Sequence, residues 1–435
     1  MLTVQPARLL LHLSGFCLLL AVGSLFSPVM QILWQVFGLF IIFLALLDWI
    51  SLYRLPTPTL ERKLAHSLPL GIWSPVKLSI STIPPLKLEI FDDYPTPAVV
   101  QDQPYQVFLP ATKKLQIQYL FQPQLRGNML FPGIHLRLYS PWRLWSQRRY
   151  QHLPQTVRIY PNFAAIRKYM KLAMENRLGQ LGIRKQQRRG EGMEFHQMRE
   201  YREGDSMRQI DWKTSVRQRK LISREYTDER EQQVVFLLDC SQRMRAKDDH
   251  LSHFDHCLNA LLLVAYAALR QGDAPGLLTF SGATRWLPPR PGQDTINHLL
   301  NQLYDLQPST NSGDYLQAAQ SLLQRQKKRA LVIILTNLRD EDNPTLLTAL
   351  GLLRKKHVVL IASLREQILE ATQEKPISSF QSALRYAALE EYLLRRRQAH
   401  QALNAQGALS IDVLPEQLPA ALINHYLEIK RSQRL

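Results

Sequence analysis

The residues of this 435-residue chain whose types and spacing could do chemistry concentrate between positions 190 and 257. Asp239-Cys240-Ser241 follows the unbroken apolar run Val234-Val235-Phe236-Leu237-Leu238, which reads as a strand buried on both faces of a parallel sheet. Ligand sites in open α/β sheets lie beyond the carboxyl ends of such strands, so this carboxylate and hydroxyl form the first candidate site. His250, His253 and His256, with Asp255 and Cys257 among them, fall at i, i+3 and i+6. Adjacent pairs then share a helix face while the outer two turn apart, which favours polar residues of a first helical turn over a zinc site. Neither Gly-x-Ser-x-Gly nor a Walker-type phosphate loop occurs, and Cys240 has only Arg243 nearby to lower its thiol pKa. These features argue against an enzyme.

A second cluster precedes the strand. Residues 199–213 alternate charge sign, place Gly-Asp at a turn and set Tyr201 and Trp212 among the ions, with Tyr226 beyond; either a packed network of arginines, rings and carboxylates or a solvated charged face would have this composition. The run Glu194-Phe195-His196-Gln197-Met198-Arg199-Glu200-Tyr201, followed by Gly204-Asp205, Ile210-Asp211-Trp212-Lys213, Arg224-Glu225 and Asp228-Glu229-Arg230, resembles the signature of the domain of unknown function fifty-eight family. The resemblance implies that the motif leads into a fold similar to a von Willebrand factor type A domain. It also implies two membrane helices and a β-rich segment near the N-terminus, and work beside a MoxR-type AAA+ ATPase in assembly or chaperone-like tasks with no established reaction. The candidate binding surface is then Glu194, Arg199, Glu200, Tyr201, Gly204, Asp205, Asp211, Trp212, Lys213, Arg224, Glu225 and Arg230.

Type A domains that bind a divalent ion use Asp-x-Ser-x-Ser after the first strand, a hydroxyl from a second loop and an Asp from a third, the hard oxygens that Mg²⁺ or Mn²⁺ requires. By this resemblance Asp239, Ser241, Ser312 and Asn337 occupy the corresponding positions. Arg243 replaces the second serine and Asn337 the third-loop aspartate, and both departures weaken cation binding, so the expected cofactor is none.

The elements that must position these residues are legible in outline. Residues 9–26 and 29–50 are apolar and joined by a Ser-Pro turn, which predicts two transmembrane helices. Arg8 on one side and Arg54, Arg62 and Lys63 on the other place both termini in the cytoplasm of an inner-membrane protein. Five segments between 76 and 160 alternate apolar and polar residues among prolines, which predicts a small antiparallel β-sandwich over 55–161. Within it, residues 140–145 read as a hydrophobic corner. A linker helix over 162–181 and a basic cluster at 184–190 lead into the charged motif, completing a 162–230 segment. From 231 to 435 strands alternate with helices, which predicts a doubly wound parallel sheet ending in a frayed basic tail around Lys430.

The net charge of +18 and pI near 9.9 point to an anionic partner: a membrane surface, a nucleic acid or an acidic protein face. Three cysteines without paired spacing argue against a disulfide or zinc framework. The whole reads as a membrane-anchored scaffold or adaptor that binds a protein. A metal-dependent adhesion-type module and a binder of anionic lipid or nucleic acid are the alternatives.

Overall fold

The computed structural model describes residues 3–25, 28–110, 114–162, 194–202, 207–227, 232–248, 251–339, 343–373 and 375–432. The chain divides into two compact units, Met1–Tyr160 and Pro161–Leu435. The helix expected over 162–181 and the basic cluster at 184–190 lie outside the described residues.

The first unit opens with strand β1 (Thr3–Pro6) and helices α1 (Arg8–Gly23) and α2 (Pro28–Arg54). Helix α2 is long and apolar enough to cross a membrane, with a mean hydropathy of 2.3 in its most apolar window. Helix α1 is apolar but has 16 residues, fewer than the roughly 20 that a span needs, so among the described residues the expectation of two spanning helices is met in length by α2 alone. Asp48 interrupts the apolar run of α2 and is buried. The reason lies in residues 140–145. The Ser140 hydroxyl donates to the Asp48 carboxylate, as do the backbone N–H groups of Trp142 and Leu144 at 3.1 and 3.0 Å, while Trp145 Nε1 donates to the Ala45 carbonyl at 2.8 Å. This stretch is therefore the socket of α2, in place of the expected hydrophobic corner within the sandwich.

Nine further strands follow: β2 (Thr59–Lys63), β3 (Ser67–Pro69), β4 (Ser74–Ser81), β5 (Leu86–Asp93), β6 (Ala98–Gln101), β7 (Tyr105–Leu109), β8 (Lys114–Pro123), β9 (Gly127–Tyr139) and β10 (Trp145–Tyr160). They form two sheets, β1-β10-β9-β5-β7 with β3 beside β10, and β2-β4-β8-β6. All pairings are antiparallel except β3 with β10. Alternate residues such as Val76, Leu78 and Ile80 of β4 and Leu86, Leu88 and Ile90 of β5 are buried, as period-two patterning dictates. Between the sheets Arg62 pairs with Asp92 and donates to the carbonyls of Leu153 and Gly133 at 2.9 and 3.1 Å, while Tyr119 donates its hydroxyl to Asp92 at 2.6 Å. A buried charge pair survives in an apolar core only when its remaining valences are met in this way.

Among the described residues, the first elements of the second unit are the hairpin strands β11 (Glu194–Glu200) and β12 (Ile222–Thr227), with α3 (Trp212–Gln218) between them in sequence. Next come β13 (Gln233–Asp239), the short pair β14 (Lys247–Asp248) and β15 (Leu251–Ser252), then β16 (Ala274–Phe280), β17 (Trp286–Leu287), β18 (Leu331–Thr336), β19 (Val358–Leu364) and β20 (Leu409–Val413). The main sheet runs β17-β16-β13-β18-β19-β20, parallel throughout except for β17. Helices α4 (His253–Arg270), α5 (Asp294–Leu303) and α10 (Leu418–Arg431) pack on one face. Helices α6 (Tyr315–Arg325), α7 (Asn343–Leu353) and the end of α9 (Phe380–Ala405) pack on the other, with α8 (Gln367–Gln373) between α7 and α9 in sequence. Val234, Phe236 and Leu238 of β13 enter the first core and Val235 and Leu237 the second, which is why that strand reads as an unbroken apolar run.

Of the expected frayed tail, Lys430 and Arg431 instead end α10, and Gln433 and Arg434 lie outside the described residues. Lys430 is buried, its Nζ donating to both oxygens of Asp273 at 2.7 Å, and Tyr426 donates to the same carboxylate.

Candidate functional site

Chain order in the main sheet reverses around β13. From β13 the chain passes to β16 on one side, then returns to β18 on the other, opening a crevice at the carboxyl ends where ligand sites of such sheets form. Asp239 ends β13 and Asn337 follows β18, so the topology brings two of the sequence-predicted residues to one place.

Asp239 is buried and closed from within. Its Oδ1 accepts from the Ser241 backbone N–H at 2.8 Å and its Oδ2 from the Thr336 hydroxyl at 2.7 Å, while the Tyr315 hydroxyl lies 2.8 Å from Thr336 Oγ1. Burial pushes the Asp239 pKa upward, opposed by the Thr336 and Ser241 donors and the Arg243 charge. The Tyr315 hydroxyl is likewise pushed well above its ordinary range by burial and by the Asp239 carboxylate. The Ser241 hydroxyl is near enough to favour the carboxylate but makes no hydrogen bond of acceptable geometry.

Asn337 is buried, and its Nδ2 contacts His253 Nδ1 at 3.3 Å and Glu366 Oε1 at 3.2 Å, while its Oδ1 has no hydrogen-bond partner. His253 in turn pairs through Nε2 with Asp248 at 2.8 Å, so it orients the first turn of α4. His250 lies outside the described residues, and among the described residues no group of three His, Cys, Asp or Glu side chains is placed to hold a metal.

Ser312 is exposed, and its loop meets the strand end through its neighbours: the Asn311 carbonyl accepts the Gln242 N–H at 2.9 Å, and Ser309 donates its N–H to the Cys240 carbonyl at 2.7 Å and its hydroxyl to the Ser281 carbonyl. Gly282 allows that approach, because a Cβ there would sit 2.8 Å from Cys240 Cβ. These residues do not fit a hard dication. The one carboxylate has hydrogen bonds on both oxygens, an amide stands in place of a second carboxylate, and a guanidinium stands in place of the second hydroxyl. Cys257 lies fully buried behind the site with its thiol pKa pushed well up, which removes it as a nucleophile.

Arg396 of α9 holds the neighbouring loops and was not singled out by its sequence. It is buried, pairs with both Asp412 oxygens at 2.8 and 2.9 Å, and donates to the carbonyls of Leu338 and Leu364 at 2.7 and 2.6 Å and to Ser363 Oγ at 2.8 Å. In sequence it is the middle of Arg395-Arg396-Arg397, and its spacing from Leu389, Leu393 and Leu403 on the buried face of α9 is the signal that distinguishes it.

The charged motif forms the β11–β12 hairpin. Asp211 caps α3 by accepting the Thr214 N–H at 3.0 Å, and Arg224 grips the same carboxylate through Nε and Nη2 at 2.8 and 2.6 Å. These contacts, the Thr214 donor first, hold the Asp211 pKa below the usual carboxylate range. Glu200 pairs with Lys220 at 2.7 Å on the surface, and Tyr201 joins the hairpin through its backbone N–H to Leu221. Arg199 lies opposite Ser223, Trp212 is 64% exposed, and Lys213 is exposed beside it. Glu194 and Glu225 lie on the paired strands, and Gly204, Asp205 and Arg230 fall outside the described residues.

Residues 197–381 match the family model described as "Protein of unknown function DUF58". The family that the 194–239 motif resembles is thus the one found. Solved structures similar to this chain include the conserved hypothetical protein BatB from Bacteroides thetaiotaomicron, at 14% identity and a TM-score of 0.29, covering 46% of this chain and 100% of that one. An aerotolerance-related membrane protein from Bacteroides fragilis aligns at 15% identity and a TM-score of 0.27, covering 45% and 98%. Proximal thread matrix protein 1 from the mussel byssus aligns at 12% identity and a TM-score of 0.26, covering 47% and 46%. No curated protein matches the chain.

Proposed function

We propose that this DUF58 protein is a membrane-anchored scaffold whose α/β unit docks a partner protein at the carboxyl edge of its main sheet, without metal and without catalysis. The observation that carries this reading is the closed Asp239 carboxylate beneath an exposed cationic loop. Residues 240–247 contain Arg243, Arg245 and Lys247 and no acid, with Arg245 and Lys247 exposed. Where an adhesion-type sheet would present a metal ion to a partner's carboxylate, this one presents guanidinium and ammonium groups, which pair with carboxylates directly. Arg243 supplies the positive charge beside Asp239.

On this reading the sheet is type A-like, α1 and α2 form a membrane hairpin with both termini cytoplasmic, and the partner is a MoxR-type AAA+ ATPase, as the family resemblance implies. Local thinning of the bilayer accommodates the short α1. The test is site-specific photo-crosslinking in the full chain. A crosslinker at position 245 captures the ATPase, whereas one at Lys328, before β18 at the opposite edge, does not. Equal capture from both positions rejects the docking edge.

A further inference from the structure

The outer face of the larger sandwich sheet carries a cluster that the docking function does not use. Cross-strand register sets its composition, since residues directly opposite on neighbouring strands share a face. One row is Glu89, Arg137, Arg148 and Thr3. The next row toward the helices joins Tyr139, Ser146 and Gln5, with Lys87 beside the Tyr139 ring at 6.0 Å. The next row away joins Phe91, His135 and Tyr150, the last two with ring centroids 4.8 Å apart. Glu89 is the acid of the first two rows, and it is engaged by Gln106 and the Tyr139 hydroxyl at 2.7 Å and by Arg137 at 3.6 Å. The cations therefore outnumber it.

Its position is fixed by the anchor. Strand β1 runs from Thr3 in this face straight into Arg8, the first residue of α1, and the Ala7 N–H donates to the Leu144 carbonyl at 2.8 Å beside the Asp48 socket. At about 3.3 Å per residue, the Gln5 row lies about 10 Å and the Thr3 row about 17 Å from the helix start, so these rows stand just outside the headgroup layer, toward which long Lys and Arg side chains extend, once α2 spans a bilayer. Arg8 is near enough to act on Tyr139. Between the rows opens a cleft of about 530 Å³ whose lining includes Arg137, Arg148, His135 and Tyr150, with the Glu89 carboxylate among them.

We infer that this face of the sandwich binds the headgroup of an anionic phospholipid, with Lys87, Arg137 and Arg148 on the phosphate. The proposal needs α2 in the membrane but is independent of the docking edge in the second unit. Basic residues near an anionic leaflet each add favourable binding energy.

The experiment uses the full chain in neutral detergent, titrated with short-chain phosphatidylglycerol, short-chain phosphatidylcholine or inorganic phosphate. Phosphatidylglycerol binds, phosphatidylcholine binds at least tenfold more weakly, and phosphate at matching concentration does not displace the lipid. The Lys87→Gln, Arg148→Gln double variant loses about 30-fold in affinity. Lys63→Gln, Lys77→Gln removes the same charge from paired, exposed positions on the other sheet and leaves affinity unchanged. Equal losses in the two double variants at unchanged melting temperature, equal binding of the two lipids, or displacement by phosphate alone would each overturn the assignment.

Discussion

Replacing Arg396 by alanine probes the clamp that holds two of the loops at the candidate docking edge. The side chain makes five contacts shorter than 3.0 Å, to Asp412, Ser363 Oγ and the carbonyls of Leu338 and Leu364. Its loss leaves a partly buried carboxylate and two buried carbonyls without their donor, and removing one member of a buried ion pair costs about 3–5 kcal/mol. At about 2–4 °C per kcal/mol for a unit of this size, the melting temperature of the second unit falls by about 6–20 °C. Arg396→Lys keeps the charge but cannot reach all of these acceptors at once, so it falls between the wild type and Arg396→Ala. Because the chain has two units, the assay is thermal unfolding of the full chain combined with hydrogen exchange at two amides. Leu338 donates to Ser363 Oγ and Arg365 to the Val413 carbonyl, and both lose protection in the variant before global unfolding. A cost below about 1 kcal/mol, with both amides still protected, would refute the claim that this guanidinium fixes the loops.

Three further outcomes follow from the same structure. His357 is buried with neither ring nitrogen hydrogen-bonded, and burial, aided by Lys356, pushes its pKa from 6.5 down to about 4. The unfolded chain takes up this proton below about pH 6.5 and the folded chain only near 4, so stability falls as pH drops through that window, by at most about 3 kcal/mol, and His357→Leu flattens the slope in pH-dependent melting. Asp48→Ala strands the N–H groups of Trp142 and Leu144 and lowers the melting temperature of the first unit, at a cost of about 2–4 kcal/mol; an unchanged melt would deny the socket its role. Calorimetric titration of the full chain with Mg²⁺ or Mn²⁺ gives no binding heat beyond that of Asp239→Ala, and heat present only in the wild type would restore the adhesion-type site.

The parts of the fold visible in the sequence are those where burial leaves a periodic trace. β5 and β9 alternate because one face is covered, and β13 and β18 are unbroken apolar runs because both faces are. The hairpin of β11 and β12 was hidden because its residues are charged and its stability comes from cross-strand pairing and the Asp211–Arg224 grip. Helix α10 was hidden in part because Lys430 reads as a solvated tail residue until Asp273, 157 positions earlier, is brought beside it. At the site, Asp239 and Asn337 could be placed because strand ends can be counted. Ser312 could not be told from Ser309 because the loop between α5 and α6 has no period, and it is the Cys240 and Ser281 carbonyls, far away in sequence, that take the Ser309 donors. Asp48 looked like an interruption of an apolar helix, and its partners at 140–145 are joined to it by no sequence pattern.

The docking claim is tested most directly by the affinity of the full chain for a purified MoxR-type ATPase, measured by equilibrium titration in detergent with and without a chelator. The account predicts an affinity unchanged by chelation of metal on this chain and weakened about 30-fold or more by Arg245→Glu with Lys247→Glu, since each reversal replaces an attraction with a repulsion. Full affinity in the charge-reversed variant, or affinity lost to the chelator and restored by Mg²⁺, would contradict it.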